Sequence, residues 1–250
     1  MMFIRRATLA LRQWPTWLLP CLPSSCALCG QLDRSALCQG CRERYFRKPV
    51  RRCVQCALPL TAAGKDSRCG ICLKHRPAYD ATIVASDYVA PADQLVLALK
   101  FGSRLALAPL CAQMLGDAMQ QENARGLPLP TLLCVVPLGP QRLQQRGFNQ
   151  ALEIARPLAR RVNIPLATEL LERLRDTEPQ TTLPVDERKR NMRRAFVVPS
   201  AAMNHVRGCH IGVIDDVMTT GETLGEIALT LKRFGAARVT NIVFARTLPK

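Results

Sequence analysis

The stretch from Ile211 to Phe234 constrains this chain more than any other. Ile211 to Ile214 form an apolar, mostly β-favouring run, and Asp215 and Asp216 follow it directly. Next come a hydroxyl-rich turn, Thr219-Thr220-Gly221-Glu222-Thr223, and a helical pattern from Leu224 to Phe234. The run predicts a buried strand, a tight loop and a helix N-terminus. Loop amides and the positive end of the helix dipole attract an anion, and the three threonine hydroxyls can add hydrogen bonds. Gly221 lets the backbone come close. Adjacent carboxylates at the end of a buried strand repel each other and lose water, so they require hydroxyl donors or a hydrated cation. A strand that ends in a polar turn and merely caps a helix uses the same residue types, and that alternative stays open.

A ribose offers two neighbouring hydroxyls. Acids for the sugar, followed at once by amides for its 5-phosphate, are what a site for ribose 5-phosphate or phosphoribosyl pyrophosphate (PRPP) requires. The stretch resembles the PRPP-binding signature of the type I phosphoribosyltransferases. That resemblance implies Asp215 and Asp216 on the ribose, with Thr219, Thr220, Gly221, Glu222 and Thr223 around the phosphate.

Cysteine supplies the second constraint. Eight of the twelve cysteines form four Cys-x-x-Cys pairs: Cys26/Cys29, Cys38/Cys41, Cys53/Cys56 and Cys69/Cys72. Two intervening residues let one tight turn direct both sulfurs at a tetrahedral metal, and two turns complete a four-cysteine zinc site. The simplest expectation is two sequential zinc ribbons, Cys26 to Cys41 and Cys53 to Cys72, although pairing first with third and second with fourth uses the same residues. A disulfide framework would need an oxidising compartment. The first twenty residues carry Arg5 and Arg6 before a short apolar run, but Arg12 and Gln13 interrupt it and no small-residue cleavage site follows. They read as a short amphipathic helix, with a membrane-surface role as the alternative, and the chain is expected in the cytoplasm. Cys111, Cys134 and Cys209 lie among apolar residues and are expected in the core.

At 250 residues the chain has room for one full domain and a smaller one. We divide it into residues 1–78, the N-terminal helix and double zinc ribbon, and 79–250, an α/β domain. Its 35 basic and 19 acidic residues give a formal charge of +16, which points to polyanionic partners. Two basic concentrations stand out. Arg42, Arg44, Arg47, Lys48, Arg51 and Arg52 lie between the ribbons, either as a solvated linker or as a nucleic-acid contact. Arg188 to Arg194 is the densest, with five of seven residues basic. The polar, proline-interrupted segment Arg173 to Arg194 suits a flap over a polyanion, with Arg188, Arg190 and Arg193 as candidate contacts. No run of about eighteen apolar residues occurs, so no transmembrane helix is expected.

Between these segments, Ala81 to Val89 predicts a strand or hairpin arm, and Ala92 to Met119 two helices broken near Gly102. Thr131 to Leu138 predicts a first central strand buried on both faces. Arg142 and Arg146 follow, just beyond the Pro137-Leu138 turn, where open α/β sheets bind ligands. A basic surface loop is the alternative. Ala151 to Val162 has helical spacing, with Pro157 expected to kink that helix or begin a second one. Leu166 to Leu171 is read as a strand or short helix, and Val197-Val198 and Val239 to Ala245 as further strands.

Together these segments resemble the ComF/GntX family over nearly the whole chain. The resemblance rests on the first three cysteine pairs, Lys100-Phe101, Val136-Pro137-Leu138, Arg146-Gly-Phe-Asn-Gln150, Arg175-x-Thr-x-x-Gln180-x-x-Leu183, Arg188-x-x-Asn191 with Ala195-Phe196, and Asp215 to Thr223. It implies a zinc-ribbon segment joined to a type I phosphoribosyltransferase-like parallel sheet, acting in the cytoplasm on DNA taken up as nutrient or for transformation. Single-stranded DNA and proteins of the uptake machinery are the implied partners. Pyrophosphate would meet Pro137, Leu138, Arg142 and Arg146, with Mg2+ accompanying PRPP. Three positions depart from the family pattern: Ala57 where glycine is common, Gly102 directly after Phe101, and Glu222 where small residues are usual. Three functions follow: a binding module for DNA handling, a transferase that moves ribose 5-phosphate to an acceptor for which the sequence holds no recognisable selector, or a regulator that senses PRPP while zinc holds the small domain together.

Overall fold

The computed structural model describes residues 24–46, 50–60, 67–101, 104–174 and 195–249. The N-terminal amphipathic segment, Arg47 and Lys48 of the basic linker, and Arg188, Arg190 and Arg193 of the flap lie outside the described residues.

The N-terminal third holds two similar units. A hairpin of β1 (Ser24–Ser25) and β2 (Leu32–Asp33) encloses the first cysteine knuckle, and α1 (Gln39–Phe46) follows. In the second unit an antiparallel bridge between Arg52 and Pro59 brackets Cys53 to Cys56, and α2 (Gly70–Lys74) begins immediately after Cys69. In both units the second cysteine pair straddles the start of a helix, where the sequence alone suggested a second turn.

The remaining chain forms β3 (Ala81–Asp87), α3 (Ala92–Phe101), α4 (Ala108–Ala124), β4 (Leu132–Val135), α5 (Pro140–Arg146) and α6 (Gln150–Val162). It continues with β5 (Glu172–Arg173), β6 (Phe196–Val197), α7 (Met203–Val206), β7 (His210–Met218), α8 (Glu222–Arg233) and β8 (Arg238–Arg246). The main sheet is parallel, in the order β3-β8-β7-β4. β3 is thus a sheet strand and not a hairpin arm. β4 is flanked by β7 on one side and by a parallel bridge from Leu133 to Leu166 on the other, which is all the regular pairing that the Leu166 segment makes. β6 pairs antiparallel with β5 outside the main sheet, so Val197-Val198 adds no strand to it.

Alternating strand side chains feed two cores. Leu133, Val135, Ile214, Ile242 and Phe244 pack with α3, α4 and α6 on one face. Cys134, Val136, Val213, Val239 and Val243 pack with α8 on the other. This burial on both faces explains the continuous apolar runs of β4, β7 and β8. The cysteine units join the same cores: Cys26, Leu37, Cys38 and Cys41 on the α4 face, and Cys53, Cys56, Leu58, Cys72 and Tyr79 on the α8 face. Gly212 sits where the layers pack closely, since a Cβ there would stand 2.7 Å from Leu133 Cδ2 and 2.9 Å from Ile242 Cδ1.

Local signals place the helices. Asn149 caps α6, its Oδ1 accepting from the amides of Ala151 and Leu152 at 3.0 and 3.4 Å, and Asn163 ends the helix in the left-handed region. α6 continues through Pro157 as one helix. Cys111 and Cys134 are fully buried, as expected, while Cys209 is only partly so.

Candidate functional site

β4 and β7 run parallel and both chain segments leave the same edge of the sheet, β4 ending opposite Ile214 and β7 continuing to Met218. From β4 the chain runs through Val136, Pro137 and Leu138 into α5, which carries Arg142 and Arg146 one turn apart. From β7 it runs through Thr219 and Thr220 to Gly221, the residue before α8. A pocket of about 40 Å³ is bounded there by Asp215, Val217 and residues 218–224. Gly221 has φ +85°, and an added Cβ would stand 2.5 Å from Met218 Cε and 3.0 Å from the Tyr79 hydroxyl. Both conformation and space therefore demand glycine. The loop amides and the first turn of α8 surround a concave opening at the positive end of a twelve-residue helix.

The acid pair lies within β7, which continues four residues past Ile214, so strand alternation separates the two side chains. Asp215 borders the pocket. Asp216 is 8% exposed and not among the pocket residues; its Oδ2 lies 2.7 Å from Lys100 Nζ, and its Oδ1 accepts from the Val217 amide at 2.8 Å. Burial and the neighbouring Asp216 charge push the Asp215 carboxyl well above the ordinary carboxylate range.

The segments beyond β4 and α3 contact one another. The Arg146 guanidinium lies 5.5 Å from the Phe101 ring centroid and donates to Gln150 Oε1 at 3.1 Å. Asn149 Nδ2 donates to the Val136 carbonyl at 3.0 Å, fixing the start of α6 against the end of β4. Glu222 occupies the first position of α8, half-buried, and its amide donates to Thr220 Oγ1 at 3.4 Å.

The eight paired cysteines form two sequential groups, Cys26-Cys29-Cys38-Cys41 and Cys53-Cys56-Cys69-Cys72, with sulfurs within 4.8 Å of one another in each. Cys29 and Cys38 are 3.7 Å apart, and Cys56 and Cys69 3.5 Å. Four sulfurs about 2.3 Å from one tetrahedral ion would stand about 3.8 Å apart, so both groups have the size of a metal site. The donor chemistry agrees. In each group four thiol sulfurs converge, the donor set that a structural zinc takes. Gly30 takes φ +76° after the first knuckle, and Ala57 takes φ +59° after the second, so the substitution at 57 keeps the left-handed turn.

Sequence reasoning missed Tyr79, Gln55 and Arg246. Arg246 is 5% exposed, and its Nη1 donates to the carbonyls of Met218 and Thr219 while Nε donates to the Cys56 carbonyl at 3.0 Å. A lone arginine ending the apolar run of β8 was the available signal. The basic linker is partly consumed by structure, since Arg42 pairs with Asp117 at 3.3 Å and Arg52 with Asp87 at 2.6 Å.

No family model matches the chain. Among curated proteins it is 37% identical over 232 residues to the DNA utilization protein YhgH of Salmonella typhi, covering 91% of this chain and 99% of that one. It is 35% identical over 231 residues to the YhgH protein of Escherichia coli K12, with the same coverage. It is also 29% identical over 209 residues to Competence protein F of Haemophilus influenzae, covering 83% and 89%. Among solved structures, a purine phosphoribosyltransferase from Pyrococcus horikoshii overlaps 68% of this chain and 89% of its own, at 13% identity and TM-score 0.30. A Trypanosoma cruzi hypoxanthine phosphoribosyltransferase overlaps 58% and 74%, at 14% identity and TM-score 0.35. At such scores the overlap is partial, and the chemistry of the crevice rests on its own residues.

Proposed function

The chain belongs to the ComF family of competence and DNA-utilisation proteins, and from that premise we propose that it binds PRPP or ribose 5-phosphate after β7 and serves the use of imported DNA. The observation that carries this reading is the loop itself: Gly221, held at φ +85° with no room for a side chain, turns the chain into α8 beside the Asp215 carboxyl. The amides and hydroxyls of Thr219, Thr220 and Thr223 receive the 5-phosphate, and Asp215 accepts from a ribose hydroxyl. Asp216, engaged by Lys100, holds the strand end and contributes negative charge behind Asp215. Arg142 and Arg146 meet a pyrophosphate group leaving the crevice on the β4 side. Mg2+ bound with that group would offset its charge. The two cysteine groups hold structural zinc, in keeping with a reducing cytoplasm where thiols stay free. Single-stranded DNA is the polyanion we assign to the basic surface, in line with the net charge of +16.

A transferase reading has one observation in its favour. A carboxyl raised well out of its usual range at a ligand crevice, as Asp215 is, is a property of catalytic acids and bases. Incubating the zinc-loaded protein with PRPP and each common nucleobase, alongside DNA binding at two salt concentrations, separates the two. Binding of PRPP and salt-sensitive binding of single-stranded DNA without base consumption supports the module, and loss of one base supports the transferase. Failure to bind either PRPP or ribose 5-phosphate contradicts both.

A further inference from the structure

Two chains of contact run from the second cysteine group to the anion loop, and among the described residues no hydrogen bond does so from the first. In one, the carbonyl of Cys56 accepts from Arg246 Nε at 3.0 Å, and Nη1 of the same guanidinium donates to Met218 and Thr219, the residues that open the loop. Thr247 closes the joint, its amide donating to the Met218 carbonyl at 3.0 Å. In the other, Gln55, buried between Cys53 and Cys56, donates through Nε2 to the Tyr79 carbonyl at 2.9 Å and accepts through its own carbonyl from Thr82 Oγ1 at 2.6 Å. The Tyr79 hydroxyl then packs under Gly221.

Arg246 is a buried cation whose hydrogen-bond partners are carbonyls and one hydroxyl; among the described residues no carboxylate pairs with it. A buried charge held this way needs compensation from nearby groups. Four thiolates on a divalent ion carry net −2, and the second group lies next to the arginine through Cys56. The first group packs instead with α4, and Arg42 of its helix reaches Asp117.

We propose that the second cysteine group is the anchor of the ligand loop, with Arg246 and Tyr79 as positioning residues, so that metal at this group and not at the first sets the geometry of residues 218–224. The inference deepens the proposed phosphoribosyl site and rests on it for its consequence in binding, while the anchoring itself concerns the ligand-free chain.

The test uses full-length zinc-loaded protein and the variants Cys29→Ser, Cys69→Ser and Arg246→Met. Zinc is counted by elemental analysis, amide exchange is followed in residues 219–224 and in β4, and ribose 5-phosphate is titrated by calorimetry. Cys69→Ser and Arg246→Met should speed exchange in 219–224 by about tenfold or more while β4 stays protected, and weaken ribose 5-phosphate by a similar factor. Arg246→Met should retain both zinc ions. Cys29→Ser should lose one zinc ion and leave the loop and its affinity as in the wild type. Equal loop exchange in the Cys29 and Cys69 variants, or an unchanged loop in Arg246→Met, overturns the anchoring. If Cys69→Ser does not fold, Arg246→Met alone decides. If the wild type binds no ribose 5-phosphate but the exchange contrast holds, the anchoring stands and the ligand assignment falls.

Discussion

Lys100 Nζ stands 2.7 Å from Asp216 Oδ2, joining the last turn of α3 to the C-terminal part of β7 next to Asp215. The two side chains are 19% and 11% exposed, so each is largely withdrawn from water. Removing one partner leaves the other charged and buried, which costs more than the pair contributes. Lys100→Met should therefore destabilise the protein by about 3 kcal/mol, and a Lys100→Met/Asp216→Leu double variant should recover much of that loss. Denaturant titrations of the single and double variants close the cycle. Additive losses would show that the pair does not interact.

His210 gives the fold a pH dependence of defined sign. Its ring is half-buried, its Nε2 lies 2.8 Å from Thr240 Oγ1, and burial, with the charge of Arg238 in support, depresses its pKa below 6.5. A histidine with a depressed folded-state pKa binds its proton more weakly when folded. Its contribution is present above the unfolded value near 6.5 and is lost as pH falls from there through the folded-state value. Melting temperatures from pH 7.5 to 5 should fall through that window, and His210→Asn should flatten the fall. An identical pH profile in the variant would remove His210 from the account.

Two four-cysteine groups predict two metal ions per chain. Elemental analysis of protein purified without chelator should approach two equivalents of zinc, and chelation should expose the hydrophobic residues now packed with each group, such as Leu37 and Leu58. A metal content near zero in fresh reduced protein would contradict this.

The basic segment ending at Arg194 lies largely outside the described residues, and its prediction rests on charge alone. Replacing Arg188, Arg190 and Arg193 together by Gln should weaken single-stranded DNA binding and lower the salt slope by about two, at about 0.7 per phosphate neutralised. PRPP affinity should change much less. If DNA affinity and slope match the wild type, the segment is a solvated surface or a small-ligand lid.

The legible parts of this molecule were those whose information is local. Spacing paired the cysteines, apolar runs marked β4, β7 and β8, and the Thr-Thr-Gly-x-Thr turn sits between strand and helix as its residues require. Partners distant in sequence were not legible. Neither Lys100 nor Asp216 carries any mark of the other, 116 positions away, and so the acid pair read as one ribose clamp when strand alternation divides it. The role of Arg246 went unread, because its acceptors are backbone carbonyls, which no side-chain pattern encodes. A strand was read at Val197-Val198, close to β6, but its two-residue partner β5 leaves no periodicity to detect.

The central claim is that the turn after β7 holds the phosphate of a phosphoribosyl ligand with Asp215 on its sugar. Its most direct test is calorimetric titration of ribose 5-phosphate into the wild type, Asp215→Asn and Gly221→Ala. Asp215→Asn should weaken binding by about 1–3 kcal/mol, the scale of a charge-assisted hydrogen bond. It should also raise the melting temperature at neutral pH, because a carboxyl with a raised folded-state pKa loses stability as pH climbs above its unfolded value. Gly221→Ala should abolish measurable binding while the fold persists, since its Cβ enters the space of Met218 and Tyr79. Wild-type affinity in both variants would contradict the account and reduce the turn to a helix cap.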